Sequence, residues 1–523
     1  MVSRWNWLII LGVAVLLRLI GLTDSAFDFD ECYELDHLSM NVLDVARDGD
    51  GFPPLYRWLL SFFCFAFGEA SARWFSALVG ILSVIGIVYL TRCIATGFLS
   101  ETESNLAGYR AGFFAAVSPH QIVFSQQARG YVLYVFMAVL VCWVAWELSQ
   151  RPTQTKWFAF LFTCALGFAT HYYFCLLVVQ AWVWVAVALG TTRLRTVVSY
   201  AAIQVLVCLP ILYSLSIDFA SELPPEAINH ADWTGILYAG FTLFSGWTLG
   251  PSWLVLQRLP LKESLLLIGP WAFCFAFLLT ILSYFGVKRL PPRCYLPVWT
   301  SFVFTPFATL CIAVMLNSSF AARYLGWLAV PVAVWLGLCS SFHGRTIRTT
   351  ASYGLICLSL IANWNRVYDP HYRMDDANQL KNWLDTNAKQ LPVLVLSHYF
   401  ASSIDRVLRH SNDNPSRAKN DSLNESISKV TAISLASDEP LDWGQVLPRF
   451  LEESLNADRQ SEYIIVARLL VEGNPLHFKR DKILSGLGAK PVAIVSNNIQ
   501  VFRAQKADLK QWISTDGSFE DLQ

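Results

Sequence analysis

Three carboxylates fall within four residues in Phe27-Asp28-Phe29-Asp30-Glu31, with aromatic rings between and before them. Acids this close repel one another, and apolar neighbours strip their water. Both effects raise carboxylate pKa values and suit a general base, so Asp30 and Glu31 are the candidate catalytic pair and Asp28 a secondary acid. A solvated acidic loop would have the same composition, and the residues alone leave both readings open. Oxygen donors also suit a hard divalent cation. Asp30 and Glu31 are its candidate ligands, but no third ligand accompanies them, and no glycine-rich phosphate loop marks any other cofactor.

Basic side chains supply a second kind of chemistry. Arg18, Arg129 and Arg323 each stand at or just inside the edge of a long apolar run. A single arginine there ordinarily snorkels, its stem in the apolar layer and its head in water. Three of them at edges facing one side suggest more, because guanidinium binds phosphate through paired, charge-assisted hydrogen bonds. Tyr324 follows Arg323 directly. His171, within Thr170-His171-Tyr172-Tyr173, reads as a ligand, a proton relay or a packed residue of an aromatic belt.

The elements that must hold these residues are membrane helices. Hydrophobic residues make up 54% of the 523 and charged residues 15%, against roughly a quarter charged in soluble domains, and mean hydropathy is +0.42. Apolar runs occupy residues 5–22, 72–95, 108–124, 130–148, 157–170, 174–189, 196–215, 264–287, 296–316, 325–341 and 347–364. Roughly 17–25 residues cross a hydrocarbon core, which gives about eleven transmembrane helices, the first read as a retained anchor. If every run crosses, one side collects Arg92 and Arg110, then Arg151 and Lys156, Arg193 and Arg195, Lys288, Arg289 and Arg293, and Arg345 and Arg348. The positive-inside rule makes that side, and the N-terminus, cytoplasmic. The opposite side then carries Asp30, Glu31, Arg129, His171, Arg323 and the polar tail. Chemistry there has no ATP or nucleotide sugar to draw on. The composition excludes a soluble enzyme and a disordered chain, and a formal net charge of zero offers no field for nucleic acid. The 12 cysteines lie singly, none beyond Cys357, and form neither a disulfide framework nor a zinc pattern.

Outside the spans, the first external loop (23–71) is long. Glu31–Arg47 spaces Leu35, Leu38, Val42 and Val45 at helical intervals, and Pro53-Pro54 opens a second apolar helix, Leu55–Phe67. Both suit a place along the membrane interface. A second external loop (216–262) holds Pro224-Pro225 and an aromatic, glycine-rich patch from Trp233 to Trp253. The transmembrane region is therefore 1–368. From 369 the chain turns polar: a helix-like stretch at 375–388 and short apolar runs at 392–397, 463–467, 491–496 and 499–502 predict an external α/β domain over 369–523, with 411–429 as a loop. The fold class is a polytopic α-helical membrane protein with a C-terminal external α/β domain.

External acids and external phosphate-binding arginines in a multispan body point to a lipid-phosphate substrate, since a flipped lipid-linked donor reaches this face and a soluble one does not. At this point the sequence resembles a known family. Arg18, Asp30-Glu31, Phe52-Pro53-Pro54-Leu55-Tyr56, Arg73-Trp74-Phe75-Ser76-Ala77 and Ser125-Gln126-Gln127-Ala128-Arg129-Gly130-Tyr131 occur in the order and spacing of the GT-C class integral-membrane glycosyltransferases. The likeness is to family 39-like members, related to protein O-mannosyltransferases and aminoarabinose transferases. Thr170-His171-Tyr172 and Ala322-Arg323-Tyr324-Leu325 resemble the family's later motifs. Coverage is good over about 5–175, patchy to 365 and faint beyond. Phe52 stands where histidine is usual and Gln127 where glutamate is usual, each removing an ionisable group.

The resemblance implies a hexosyltransferase type of enzyme. It moves a sugar from a polyprenyl-phosphate donor to a hydroxyl of a glycan, lipid or protein, at the outer face of a bacterial plasma membrane. Membrane lipids are the other expected partner. Asp30 would be the base and Glu31 its orienting neighbour or substitute. Arg129 and Arg323, with Arg18, would stabilise the leaving phosphate, and Tyr56, Tyr324 and His171 would complete its site. Two other readings are a transporter or flippase of lipid-linked substrates and a catalytically lapsed GT-C-like assembly protein. Against the first stands the lack of mid-span carboxylates and of repeated halves; against the second, the intact Asp30, Glu31, Arg129 and Arg323.

Overall fold

The structure, a computed structural model, describes residues 2–39, 53–220, 233–251, 261–288, 290–316, 321–341, 346–369, 372, 377–387, 393–396, 430–433, 462–468, 489–496, 499–505 and 507. Its contacts divide the chain into two units. One comprises Met1–Leu22, Glu34–Trp253 and Pro260–Asp369; the other comprises Thr23–Tyr33, Leu254–Leu259 and Pro370–Gln523.

The first unit is helical. Every apolar run of the sequence is a helix: α1 (Val2–Leu19), α4 (Ala72–Ala95), α5 (Glu101–Val117) with the short α6 (Pro119–Ser125), α7 (Tyr131–Gln150), α8 (Gln154–Phe168), α9 (Phe174–Leu189), α10 (Leu194–Ala220), α12 (Leu261–Val287), α13 (Pro292–Leu316), α14 (Ala329–Ser340) and α15 (Thr346–Tyr368). The neighbouring runs 108–124 and 130–148, and 157–170 and 174–189, are separate helices, with breaks at 126–130 and at 169–173. Five helical stretches among the described residues are long and apolar enough to cross a membrane: Glu69–Ala95, Tyr131–Gln150, Thr191–Tyr213, Lys262–Tyr284 and Ala322–Ser340.

At the centre lies α5, packed against α1, α4, α14 and α15. Its sequence explains why. Ala107, Gly108, Ala111, Gly112, Ala115 and Ala116 recur at helical spacing, and with no hydrophobic drive between helices in lipid, such small residues gain packing by letting backbones approach. On α14, a Cβ at Gly337 would sit 2.5 Å from the Ala111 Cβ and 2.6 Å from the Ala107 carbonyl oxygen, so only glycine fits. The last three carbonyls of α5 are all taken: Arg18 Nη1 and Nη2 donate to Ala116 and Ala115, and Asn363 Nδ2 donates to Val117. Ser118 then caps α6, with Pro119 at its first position, which turns the chain at once into the next helix.

Between the spans, α3 (Leu55–Phe67) forms as the sequence predicts. The expected helix over 31–47 is shorter: α2 covers Phe29–Asp36, a 3₁₀ turn runs from His37 to Ser39, and residues 40–52, Phe52 included, lie outside the described residues. The patch read as a loop at Trp233–Trp253 is in large part helix, α11 (Trp233–Ser245), which packs against α6 and the 3₁₀ segment Ala322–Leu328. In the second unit, α16 (Ala377–Asn387) precedes five strands: β1 (Val393–Leu396), β2 (Val430–Ile433), β3 (Glu462–Arg468), β4 (Lys490–Ser496) and β5 (Ile499–Gln505). The sheet order is β2-β1-β3-β5-β4, with β1 parallel to β2 and β3, and β5 antiparallel to β3 and β4. Consecutive Ile464 and Ile465 on β3 are both fully buried, so this strand is covered on both faces.

Candidate active site

The most concentrated buried charge in the first unit is centred on Glu34. Its Oε2 accepts from Arg57 Nε at 2.7 Å and its Oε1 from Arg129 Nη1 at 3.2 Å. All three side chains are nearly inaccessible, at 2–5% exposure. Each comes from a different element: Glu34 from the second turn of α2, Arg57 from the first turn of α3, and Arg129 from the break between α6 and α7. Arg57 is the sole charge in α3, and it points inward with Tyr56, Leu60 and Cys64 while Leu59, Phe62 and Phe65 face outward. The helix is thus inverted relative to a soluble amphipathic one: the cation is inside and the apolar face outside. Removing one member of such a buried set costs about 3–5 kcal/mol, because the others are left charged and dry.

Tyr56, Tyr131, Thr170 and His171 complete the walls of the small cleft that Glu34, Arg57 and Arg129 line. The Tyr131 ring serves two guanidiniums, with the Arg323 Cζ 5.5 Å and the Arg129 Cζ 5.9 Å from its centroid, distances at which cations are drawn to an aromatic face. Arg323 and Tyr324 stand in the 3₁₀ segment Ala322–Leu328 that leads into α14. That segment is fixed by Tyr134, whose hydroxyl donates to the Tyr324 carbonyl at 2.9 Å. His171 occupies the turn between α8 and α9. It stacks on Tyr134 at 4.9 Å, lies the same distance from the Tyr324 ring, and accepts from the Tyr173 amide through Nδ1. Burial first, then the nearby Arg323 and Arg129, push its pKa down to about 3. At neutral pH the imidazole is uncharged, and among the described residues at this cleft three guanidiniums face one carboxylate.

Of the residues singled out by sequence, Arg129, Arg323, Tyr324, Tyr56 and His171 meet here. Tyr56 lines the cleft, and its hydroxyl is 2.8 Å from Ser76 Oγ. Arg18 does not line this cleft: it is fully buried and donates to backbone carbonyls of Ala14, Ala115 and Ala116, which caps the end of α5. Gln126 plays the reciprocal part, its Nε2 donating to Leu17, Arg18 and Ile20 at the end of α1. In the other unit, Asp28 and Glu31 form a reciprocal cap at the start of α2. The Glu31 amide donates to Asp28 Oδ1 at 2.8 Å and the Asp28 amide to Glu31 Oε2 at 2.9 Å. That accounts structurally for two of the three clustered acids; the third, Asp30, is half-buried in the first turn of the same helix. No group of three or more His, Cys, Asp or Glu side chains among the described residues is arranged to hold a metal ion.

Sequence reasoning passed over Glu34 and Arg57. Glu34 follows the conspicuous acids by one helical turn, and Arg57 directly follows the matched Pro53-Pro54-Leu55-Tyr56. A lone charge within an otherwise apolar helix was the available signal.

Residues 52–214, under a third of the chain, match the dolichyl-phosphate-mannose-protein mannosyltransferase family. ArnT from Cupriavidus metallidurans in its apo state superposes over 97% of this chain and 99% of its own, at 12% identity and a TM-score of 0.54. The same protein bound to undecaprenyl phosphate covers 96% and 98%, at 11% identity and a TM-score of 0.53. No curated protein matches by sequence. The chain shares the fold of ArnT over essentially its whole length, and the resemblance to the GT-C class read from the motifs stands.

Proposed function

We propose that the chain is a glycosyltransferase that moves a sugar from a polyprenyl-phosphate donor to an acceptor hydroxyl at the non-cytoplasmic membrane face. The observation that carries this reading is the anion-receptive cleft, with Arg57 and Arg129 clamped by Glu34 and Arg323 held over Tyr131. The family match over 52–214 and the fold shared with ArnT, a protein described bound to undecaprenyl phosphate, support it.

In the reaction the acceptor oxygen forms a bond to the anomeric carbon while the bond from that carbon to the phosphate oxygen breaks. The acceptor proton passes to a carboxylate, and the electron pair of the broken bond leaves with the lipid phosphate. A phosphodiester with one charge becomes a monoester with about two. Guanidiniums at the phosphate therefore bind the transition state more tightly than the ground state, which is what accelerates a reaction. Arg129 and Arg323 take that role. Glu34 cannot also act as the base, because both its oxygens are engaged by arginines; it orients them. The base is Asp30, chosen for its place among the clustered acids of Phe27–Glu31.

Purified protein in nanodiscs, given polyprenyl-phosphate sugars and a panel of glycan, lipid and peptide acceptors, should release polyprenyl phosphate and glycosylate one acceptor class. Asp30→Asn, folded and inserted, should lose about 10²–10⁴-fold in rate. Wild-type rates in that variant refute Asp30 as base, and no transfer from any donor refutes the function.

A further inference from the structure

One turn of the first unit has a backbone that its side chain should resist. After α11, Gly246 has φ +57°, Trp247 +63° and Gly250 +84°, and Trp247 is the one non-glycine residue with positive φ among the described residues. For a bulky residue that conformation is a true outlier, and such outliers persist only where the surroundings fix them. Here they do. A Cβ on Gly246 would come within 2.5 Å of the Pro119 Cβ and 2.9 Å of the His120 amide nitrogen, so the turn lies directly on the start of α6. From the other side Asn365 of α15 donates to the Thr248 carbonyl at 3.0 Å.

The left-handed backbone aims the indole at two rings of α6. Trp247 stacks on His120, with centroids 5.1 Å apart and planes 23° apart, and lies 5.7 Å from Phe124. Two paths lead from those rings to the arginines of the cleft. Phe124 stacks on Tyr131 at 5.1 Å and 28°, and Tyr131 is the ring that Arg323 and Arg129 share. Phe124 and His120 also lie against Gly326, where a Cβ would be 2.8 Å from one and 3.3 Å from the other; Gly326 is three residues beyond Arg323 in the same 3₁₀ segment. The rings of α6 therefore lie between Trp247 and both the Tyr131 ring and the Gly326 backbone.

We infer that Trp247 is a positioning residue, which sets the Arg323–Tyr131–Arg129 arrangement for a lipid-linked phosphate from a turn in a different loop. The inference rests on the lipid-phosphate reading of the cleft.

The test compares binding of undecaprenyl phosphate and of undecaprenol, which lacks the phosphate, to detergent-purified wild type, Trp247→Ala, Trp247→Phe, Arg323→Ala and the double variant Trp247→Ala/Arg323→Ala. Thermal unfolding of each is followed in parallel. Trp247→Ala should weaken undecaprenyl phosphate binding by about tenfold and leave undecaprenol binding unchanged; the flat ring of Trp247→Phe should restore most of the loss. In the Arg323→Ala background the same change should have little further effect, since residues acting through one another are not additive. Equal weakening for phosphate and alcohol, full additivity with Arg323→Ala, or wild-type affinity in Trp247→Ala would each overturn the inference. If Trp247→Ala does not fold, Trp247→Phe against Trp247→Leu, which keeps apolar bulk without a ring, decides by the same criteria. Wild-type protein that binds both lipids equally removes the phosphate reading itself, and the positioning role with it.

Discussion

A carboxylate shared by two buried arginines does a different job from one that accepts a proton. Glu34 fixes the direction of Arg57 and Arg129 by accepting from both. Glu34→Gln should lower the unfolding temperature, since breaking a buried set of this kind costs about 3–5 kcal/mol, and differential scanning fluorimetry in detergent would read it. Arg129→Ala should lower kcat by about 10²–10³-fold, the usual toll of losing one preorganised donor. Arg129→Lys should recover only part, because a point charge cannot serve Glu34 and a phosphate at once. His171 gives a pH prediction. Unfolded it titrates near 6.5, whereas in the folded cleft burial, then Arg323 and Arg129, hold it to about 3. The folded state binds fewer protons, so His171 removes stability as pH falls from about 6.5 towards 3. In His171→Gln the drop in unfolding temperature between pH 7 and pH 5 should be shallower than in wild type; an identical slope contradicts the assignment. At this scale Arg129, Arg323 and His171 were legible because each breaks an apolar edge. Arg18 breaks one in the same way, and the sequence gives no sign that its partners are helix carbonyls. Glu34 and Arg57 were missed because their meaning lies in a contact across 23 residues, not in local spacing.

The elements around the cleft owe their positions to how closely α5 lets its neighbours approach. Gly337 against Ala111 and Ala107 is the tightest instance discussed, and Gly337→Leu should destabilise by about 1–3 kcal/mol or prevent folding, by overpacking. Arg18→Met separates the two roles that arginine could have had. Leaving the α5 carbonyls of Ala115 and Ala116 without donors costs about 1–3 kcal/mol for each unsatisfied group, so the unfolding temperature should fall while affinity for undecaprenyl phosphate in the surviving folded protein stays at the wild-type value. A selective loss of affinity without loss of stability would return Arg18 to the phosphate site. Hydropathy made most helices of this unit readable, with ends displaced by up to seven residues, because apolar length is a strong signal while caps decide where a helix stops. It made α11 harder to read, since an aromatic stretch flanked by glycine and proline has the composition of a loop and becomes helix through what it packs against.

For the molecule as a whole, the proposed sidedness follows from where arginines and lysines fall between the apolar runs. An alkaline phosphatase fused after Gln523 should be active and a green fluorescent protein there dark, and a cysteine introduced at Asp24 should react with an impermeant maleimide in intact cells. The reverse pattern puts the acids in the cytosol, where a flipped donor is absent. The α/β unit was legible as strands in a polar tail, but β2 was not, since Val430–Ile433 offers only four residues of pattern. The claim on which all of this depends is that the Glu34-clamped arginines and Arg323 receive a lipid phosphate. The most direct measurement is the ratio of affinities for undecaprenyl phosphate and undecaprenol in wild type and in Arg129→Ala/Arg323→Ala. The account predicts a clear preference for the phosphate in wild type and a ratio near one in the double variant. A ratio that is the same in both proteins would contradict it.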